Sequence, residues 1–293
     1  MCDKNTFFNS KTTLNAAGKL IDLSLPRVMG ILNITPDSFF DGGRHDVPDK
    51  ALQQVGRMLE EGATFIDIGA YSSRPDAADI PESEELQRLL PVIQAIVREF
   101  PEAIISVDTF RSAVARAAIG EGAHIINDIS AGELDKDMFD TMANLNVPYI
   151  MMHMRGTPKT MQTLTDYDDL VGEMIAYFSA KVQRLKELGV PDVIIDPGFG
   201  FAKTLKDNYR LLNAMEQLKV LELPVLAGLS RKSMLYKLLN ITPQEALNAT
   251  TAANTIALLK GASILRVHDV KEAVECIQIV SVTTSTVLPF TSG

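Results

Sequence analysis

The run Ile264–Val270, ILRVHDV, is apolar enough for a buried strand, yet Arg266 and His268 interrupt it two residues apart. Successive side chains of a strand leave on opposite faces, so these two share one. An arginine buried there is costly without an anionic partner. Other short apolar runs carry polar groups in the same way. Asn33 closes the first, and Asp67 lies in a second that runs on to Ser73 and Arg74. Asp108 ends a third, Asn127 and Asp128 a fourth, and His153 and Arg155 follow the fifth. Asp196 ends the sixth, and Arg231, Lys232 and Ser233 follow the seventh.

By type, these groups divide into two chemistries. Arg74, Arg266 and His268 are cationic or can become so, which suits a phosphate or diphosphate. Asp108, Asn127, Asp196 and Lys232 mix acceptors with donors, which suits a flat heterocycle with a hydrogen-bonding edge. Taken singly, most read as satisfied core or rim residues. As a set they read as a site, because buried charges rarely repay their desolvation.

Eight elements must carry this ring. The runs are 27–33, 64–70, 103–109, 124–130, 148–154, 192–198, 224–230 and 263–269, and amphipathic stretches such as 49–62, 82–100 and 173–189 separate them. Near-continuous apolar strands alternating with helices predict a parallel sheet covered on both faces. Eight such units predict an α/β fold, a (β/α)8 TIM barrel, in which active sites collect at the C-terminal ends of the strands. An open doubly wound sheet is the alternative, because periodicity does not report closure. Residues 15–26 predict a small hairpin across the barrel floor. The expected division is an N-terminal segment, 1–26, and one catalytic barrel, 27–293. The loops 33–43 and 69–75 are rich in Gly, Pro, Ser and Asp and are long enough to close over a substrate.

The formal net charge of −9 argues against nucleic acid or a membrane surface as partner, so an anion requires a local basic cluster. No apolar run approaches bilayer-spanning length, and the first ten residues lack the order of a signal peptide. Cys2 and Cys276 provide neither a disulfide framework nor a metal site, which fits a reducing cytoplasm.

The motifs MGILNITPDSFFDGG, DIGAYSSRP, SVDTF, INDISAG, DPGFGFAKT, GLSRKS and RVHDV, in that order from Arg27 to Val270, resemble those of the dihydropteroate synthase family. The resemblance implies joining of 4-aminobenzoate to the methylene carbon of 6-hydroxymethyl-7,8-dihydropterin diphosphate, with release of pyrophosphate. It implies pterin binding by Asp108, Asn127, Asp196 and Lys232, and a diphosphate cradle of Asn33, Ser73, Arg74, Arg266 and His268. Asn33 matches the family's Mg2+ contact, a hard oxygen beside a diphosphate. Phe39, Pro75 and Ser233 match the aminobenzoate pocket, and Asp41 is expected to help order the first loop. Lys232, Arg266, His268 and Asp41 are thus the expected catalytic groups. No general base is assigned, because an arylamine is already a free nucleophile. The chain ends soon after its eighth helix, which predicts a free-standing enzyme, and the resemblance implies a homodimer.

Three positions depart from the family pattern. Ser73 replaces a threonine, Tyr71 a frequent glutamate, and Ala202 a common glycine. Two rival functions are a pterin-dependent methyltransferase, which needs no diphosphate cradle, and a non-catalytic pterin-binding paralogue. His153, Met152 and Met154 read as packing, although one methionine could touch the pterin, and Arg231 reads as a rim bridge. Asp67 divides equally between direct contact and orienting an arginine or a loop, and His45 and His124 carry no signal.

Overall fold

The structure, a computed structural model, describes residues 11–16, 18–34, 47–72 and 79–284. Two short strands, β1 (Thr13–Ala16) and β2 (Lys19–Asp22), form an antiparallel hairpin. Eight parallel strands follow: β3 (Arg27–Asn33), β4 (Phe65–Gly69), β5 (Ile104–Asp108), β6 (Ile125–Asp128), β7 (Tyr149–Met152), β8 (Val193–Asp196), β9 (Leu226–Ala227) and β10 (Ile264–Val267). Each lies inside one of the eight apolar runs. They are ordered β8-β7-β6-β5-β4-β3-β10-β9. A parallel bridge between Ile195 and Val225 joins the two ends, so the sheet closes and the open-sheet alternative falls.

The described helices are α1 (Val47–Glu60), α2 (Glu82–Glu99), α3 (Ser112–Gly120), α4 (Met138–Leu145), α5 (Leu170–Glu187), α6 (Leu205–Ala214), α7 (Ser233–Leu239), α8 (Leu247–Leu259) and α9 (Val270–Thr284). The sequence predicted one helix per strand, but the segment after β9 carries two. Asn240 ends α7 in the left-handed region at φ 54°, and Pro243 follows, so the chain turns before α8 begins. None of the described helices is long and apolar enough to cross a membrane.

Alternation along the strands sorts the core into two. Ile66, Ile68, Ile105, Val107, Ile126, Met151, Ile195, Leu265 and Val267 face outward and pack with the helices. Met29, Phe65, Ile125, Ile150, Ile194, Leu226 and Ile264 instead pack against Leu14, Ala16, Ile21 and Leu23 of the hairpin region. The hairpin is therefore the apolar floor of the barrel, as expected from residues 15–26, though its strands begin two residues earlier. The Asn15 backbone N–H donates to the Asp192 carboxylate at 3.0 Å, and Lys11 pairs with the same carboxylate at 2.6 Å, which fastens the hairpin below β8.

Leu14 is 1% exposed within this floor. Leu14→Ala should cost about 2–4 kcal/mol of stability through lost burial and the cavity left behind. Urea unfolding checks this.

Candidate active site

Two residues beyond each floor residue, the same inward face is reached again. From Phe65, Ile125, Ile194 and Ile264 this step arrives at Asp67, Asn127, Asp196 and Arg266, and from Ile150 and Leu226 at Met152 and Gly228. On β5 the inward positions are Ser106 and then Asp108, paired across to Asp67 and Asn127 respectively. The barrel is thus apolar at its base and polar one layer up.

Asp67 organises that layer. It is fully buried; Oδ1 accepts from Ser106 Oγ at 2.6 Å, and Oδ2 accepts from Asn127 Nδ2 at 3.1 Å and from Arg266 Nε at 2.6 Å. A second Arg266 nitrogen donates to Asp108 Oδ2 at 2.8 Å. Burial alone would lower the Arg266 pKa, but the two carboxylates outweigh it and hold the guanidinium charged. Asp108 is pushed up by burial and pulled back by Arg266, while Asp67, Glu85 and Asp128 add to the upward push. Arg266 therefore meets its anions inside the protein. Asp67 orients the arginine, which settles the position that the sequence left divided.

Above Asp67 lies a cavity of about 410 Å3, its open mouth included, lined by Asp108, Asn127, Ile129, Met152, Asp196, Phe199, Phe201, Gly228, Lys232 and Arg266. Asp196 Oδ1 accepts from the Gly198 N–H at 2.7 Å, which aims the carboxylate while leaving acceptor capacity. Burial raises the Asp196 pKa; Gly198, Lys232, Arg266 and Lys203 oppose it. Lys232 is depressed to about 8 by burial, with Asp196 and Asp108 restoring part of it. Its Nζ stands 4.4 Å from the centre of the Phe201 ring. All four expected pterin-binding residues thus line one cavity with Arg266, between apolar walls suited to a flat ring.

Phe199, Phe201 and Ile129 were missed in the sequence. The first two had a signal: aromatics at alternate positions in the glycine-rich turn directly after Asp196. Lys203 was also missed. It is buried, depressed to about 7 chiefly by burial, and donates to the carbonyls of Gly198 and Phe201, both at 3.0 Å. It meets His153 Nδ1 at 3.2 Å. His153 is held neutral, its pKa lowered to about 3 by burial first and Lys203 second. His153 is a packing residue, as expected, and with Lys203 it holds the turn that carries both phenylalanines. Gly198 has φ 70°, and a side chain there would collide with the His153 carbonyl. Ala202, in place of glycine, sits at φ 48° in the same left-handed region.

The remaining expectations divide. His268 and Arg231 do not line the cavity, but each lies within two residues of one that does, Arg266 and Lys232 respectively. Arg231 bridges to Asp269 at 2.6 and 3.1 Å, the rim role expected of it. His268 was counted as a potential cation, but burial and the neighbouring Arg266, Arg231 and Lys232 depress it to about 4. The residue reaches solvent, which screens part of that depression; its direction leaves a neutral ring at physiological pH. Asn33 is exposed at the C-terminal end of β3, and Ser233 opens α7 directly after Lys232. Neither lines the cavity. Asp128 does not join the ring at the mouth, because the step after inward-facing Asn127 points outward, where it bonds Tyr149, Ser130 and Gly132. Arg155 also lies away from the cavity, stacked 3.8 Å over Tyr167 and paired with Glu173. Tyr71, where the family often has glutamate, packs edge-on against Phe110. Phe39, Asp41, Ser73, Arg74, Pro75 and His45 lie outside the described residues.

A polar cavity on this barrel admits many chemistries, and known proteins narrow the choice. The family model for pterin binding enzymes matches residues 29–268. The dihydropteroate synthase of Escherichia coli K12 is 46% identical over 274 residues, covering 93% of this chain and 96% of that protein. The chain belongs to the dihydropteroate synthase family of pterin-binding enzymes. Among solved structures of the family, that of Xanthomonas albilineans with 4-aminobenzoic acid matches with a TM-score of 0.88 at 39% identity, covering 95% of this chain and all of that one. The same organism's enzyme in complex with 7,8-dihydropteroate matches with a TM-score of 0.84 at 37% identity, covering 94% of this chain and 100% of that one.

Two outcomes follow from this geometry. Asp67→Ala, although outside the cavity, should cost roughly 3–5 kcal/mol because it strips a partner from an inward-facing arginine; denaturant unfolding measures the loss. For Lys232, the protonated form is the donor, so kcat/KM for a pterin substrate should fall as pH rises through about 8. Lys232→Arg should lower kcat/KM but carry that limb out of the accessible range. A limb that stays near pH 8 in this variant would belong to another group, Lys203 being the nearest buried amine.

Proposed function

We infer that the chain condenses 6-hydroxymethyl-7,8-dihydropterin diphosphate with 4-aminobenzoate, giving 7,8-dihydropteroate and pyrophosphate, a transferase reaction that forms a C–N bond. The observation that carries this reading is the convergence of Asp108, Asn127, Asp196 and Lys232 on one cavity with Arg266 at its wall. Asp196 accepts from the amino-pyrimidine edge, where a carboxylate supplies two parallel acceptors. Lys232 donates to the ring oxygen and adjacent nitrogen. Asn127 and Asp108 take the opposite edge, and the phenylalanines and Met152 cover the ring faces.

Arg266 and His268 then meet the diphosphate, together with Asn33, Ser73 and Arg74. As the carbon–oxygen bond breaks, the electron-rich dihydropterin stabilises positive charge on its methylene. Donors fixed in advance around the departing diphosphate lower the barrier most. The arylamine attacks with its own lone pair while the carbon–oxygen electron pair leaves with the diphosphate. The proton lost from the nitrogen of the new C–N bond goes to the released pyrophosphate or to solvent, so no side chain acts as base. Ser233, with Phe39 and Pro75, receives the aminobenzoate, and Asp41 helps order the loop above it.

Mg2+ is the implied metal, and the donor set fits it. Among the described residues no cluster of three acidic, histidine or cysteine side chains forms a cage, whereas Mg2+ characteristically keeps waters and binds through substrate phosphates with few protein oxygens. Asn33 supplies such an oxygen. Bound there, Mg2+ would neutralise charge on the diphosphate. The reading includes a cytoplasmic homodimer.

The test is pyrophosphate release from the dihydropterin diphosphate with Mg2+, with and without 4-aminobenzoate. Release that requires the arylamine and yields dihydropteroate is expected; tight pterin binding without release would identify a non-catalytic paralogue. Asp196→Asn should reduce kcat/KM by roughly 100-fold, since one charge-assisted pair is lost and an amide donor faces a donor.

A further inference from the structure

Ser230, 5% exposed, lies in the turn between β9 and α7, and its hydroxyl meets His268 twice. The His268 backbone N–H donates to Ser230 Oγ at 3.2 Å, and the ring Nδ1 lies 2.9 Å from the same oxygen. A serine hydroxyl has one proton. Among the described residues, Nδ1 is its only acceptor within hydrogen-bond distance. The backbone N–H donates into one lone pair of the oxygen, and the hydroxyl proton is free to be directed at Nδ1. A neutral imidazole that accepts at Nδ1 carries its own proton on Nε2.

The turn cannot drift from the histidine. Arg231, the next residue, is clamped to Asp269 by two hydrogen bonds of 2.6 and 3.1 Å, and its backbone N–H donates to buried Thr250 Oγ1 at 3.1 Å. Residues 230–231 and 268–269 are thus joined side by side, and Lys232 continues from one of them into the cavity.

We propose that Ser230 is a positioning residue that holds His268 in its Nε2–H tautomer, so that the one N–H of the ring is offered to an anionic oxygen beside Arg266. This rests on the reading of His268 as a diphosphate contact, and it adds a basis for specificity. A nitrogen that only donates rewards an acceptor-only phosphate oxygen. It gives nothing to a pterin that lacks the diphosphate.

The chain has four histidines, so 15N-labelled imidazole signals can be resolved and His268 assigned by its loss in His268→Ala. Two-bond 1H–15N correlation spectra of the unliganded protein should show His268 protonated at Nε2. Ser230→Ala should release the ring to a mixture of tautomers, and Ser230→Thr, which keeps the hydroxyl, should preserve the native form. In parallel, Ser230→Ala should weaken binding of the dihydropterin diphosphate by roughly tenfold, the scale of one lost hydrogen bond to a charged group. Binding of bare 6-hydroxymethylpterin should be unchanged, and Ser230→Thr should restore the difference between the two ligands. A wild-type ring protonated at Nδ1, or an identical tautomer in wild type and Ser230→Ala, overturns the proposal. If the tautomer shifts as expected while His268→Ala binds the diphosphate at full affinity, the hold by Ser230 stands and the diphosphate role of His268 is what fails.

Discussion

An arginine turned into the interior of a closed barrel is the constraint on which the site depends. The guanidinium of Arg266 has to be met by anions, and Asp67 and Asp108 supply them from two other strands. Asp67 must in turn be satisfied, and its remaining acceptor capacity goes to Ser106 and Asn127. Two ion pairs on one arginine, with the hydrogen bonds of Asp67, thereby fix residues on β4, β5, β6 and β10 relative to each other. Such a network repays its desolvation only when every member is paired. That requirement leaves Asn127 and Asp108 with defined orientations before any ligand arrives.

The layer below makes this arrangement possible. Among the described residues, floor and hairpin side chains close the base of the barrel with apolar contacts, and the polar layer lies on their mouth side. The cavity above is then a low-dielectric pocket with a charged lining, in which Lys232 is easier to deprotonate and Asp196 easier to protonate than in water. The opposite charges offset each other's desolvation, so the pocket holds a donor and an acceptor ready for a polar heterocycle. Such readiness suits catalysis, because groups fixed in advance need not reorganise as charge develops.

Rigidity on the far side comes from loop-to-loop bonds. Lys203 holds the Gly198–Phe201 turn by its carbonyls, and Arg231 and Ser230 join the β9–α7 turn to the β10–α9 turn. Each fastening lies within two residues of a cavity residue: Lys203 follows Phe201 by two, and Ser230 and Arg231 precede Lys232. The cost of ordering the site is therefore met in folding, and less remains to be met at binding.

The eight strands, the closing hairpin and the residues at each strand end could be read from the sequence, because period-2 alternation and helical spacing are local properties. The step from Ile264 to Arg266 and from Phe65 to Asp67 is present in the sequence, and so are the carboxylates, the amide and the lysine that line the cavity. What the sequence could not supply was distance. Only the closed barrel brought Asp67 within 2.6 Å of Arg266, 199 residues away, and so decided that this aspartate orients an arginine. Only the direction of the pleat removed Asp128 from the mouth, since a residue adjacent to Asn127 must face the helices. Neutral His268 and the roles of Lys203 and Ser230 likewise depend on neighbours contributed by other loops. Local sequence determines which face a side chain takes. Closure of the sheet decides which charges share that face, and hence which are held within the protein and which are left for a ligand.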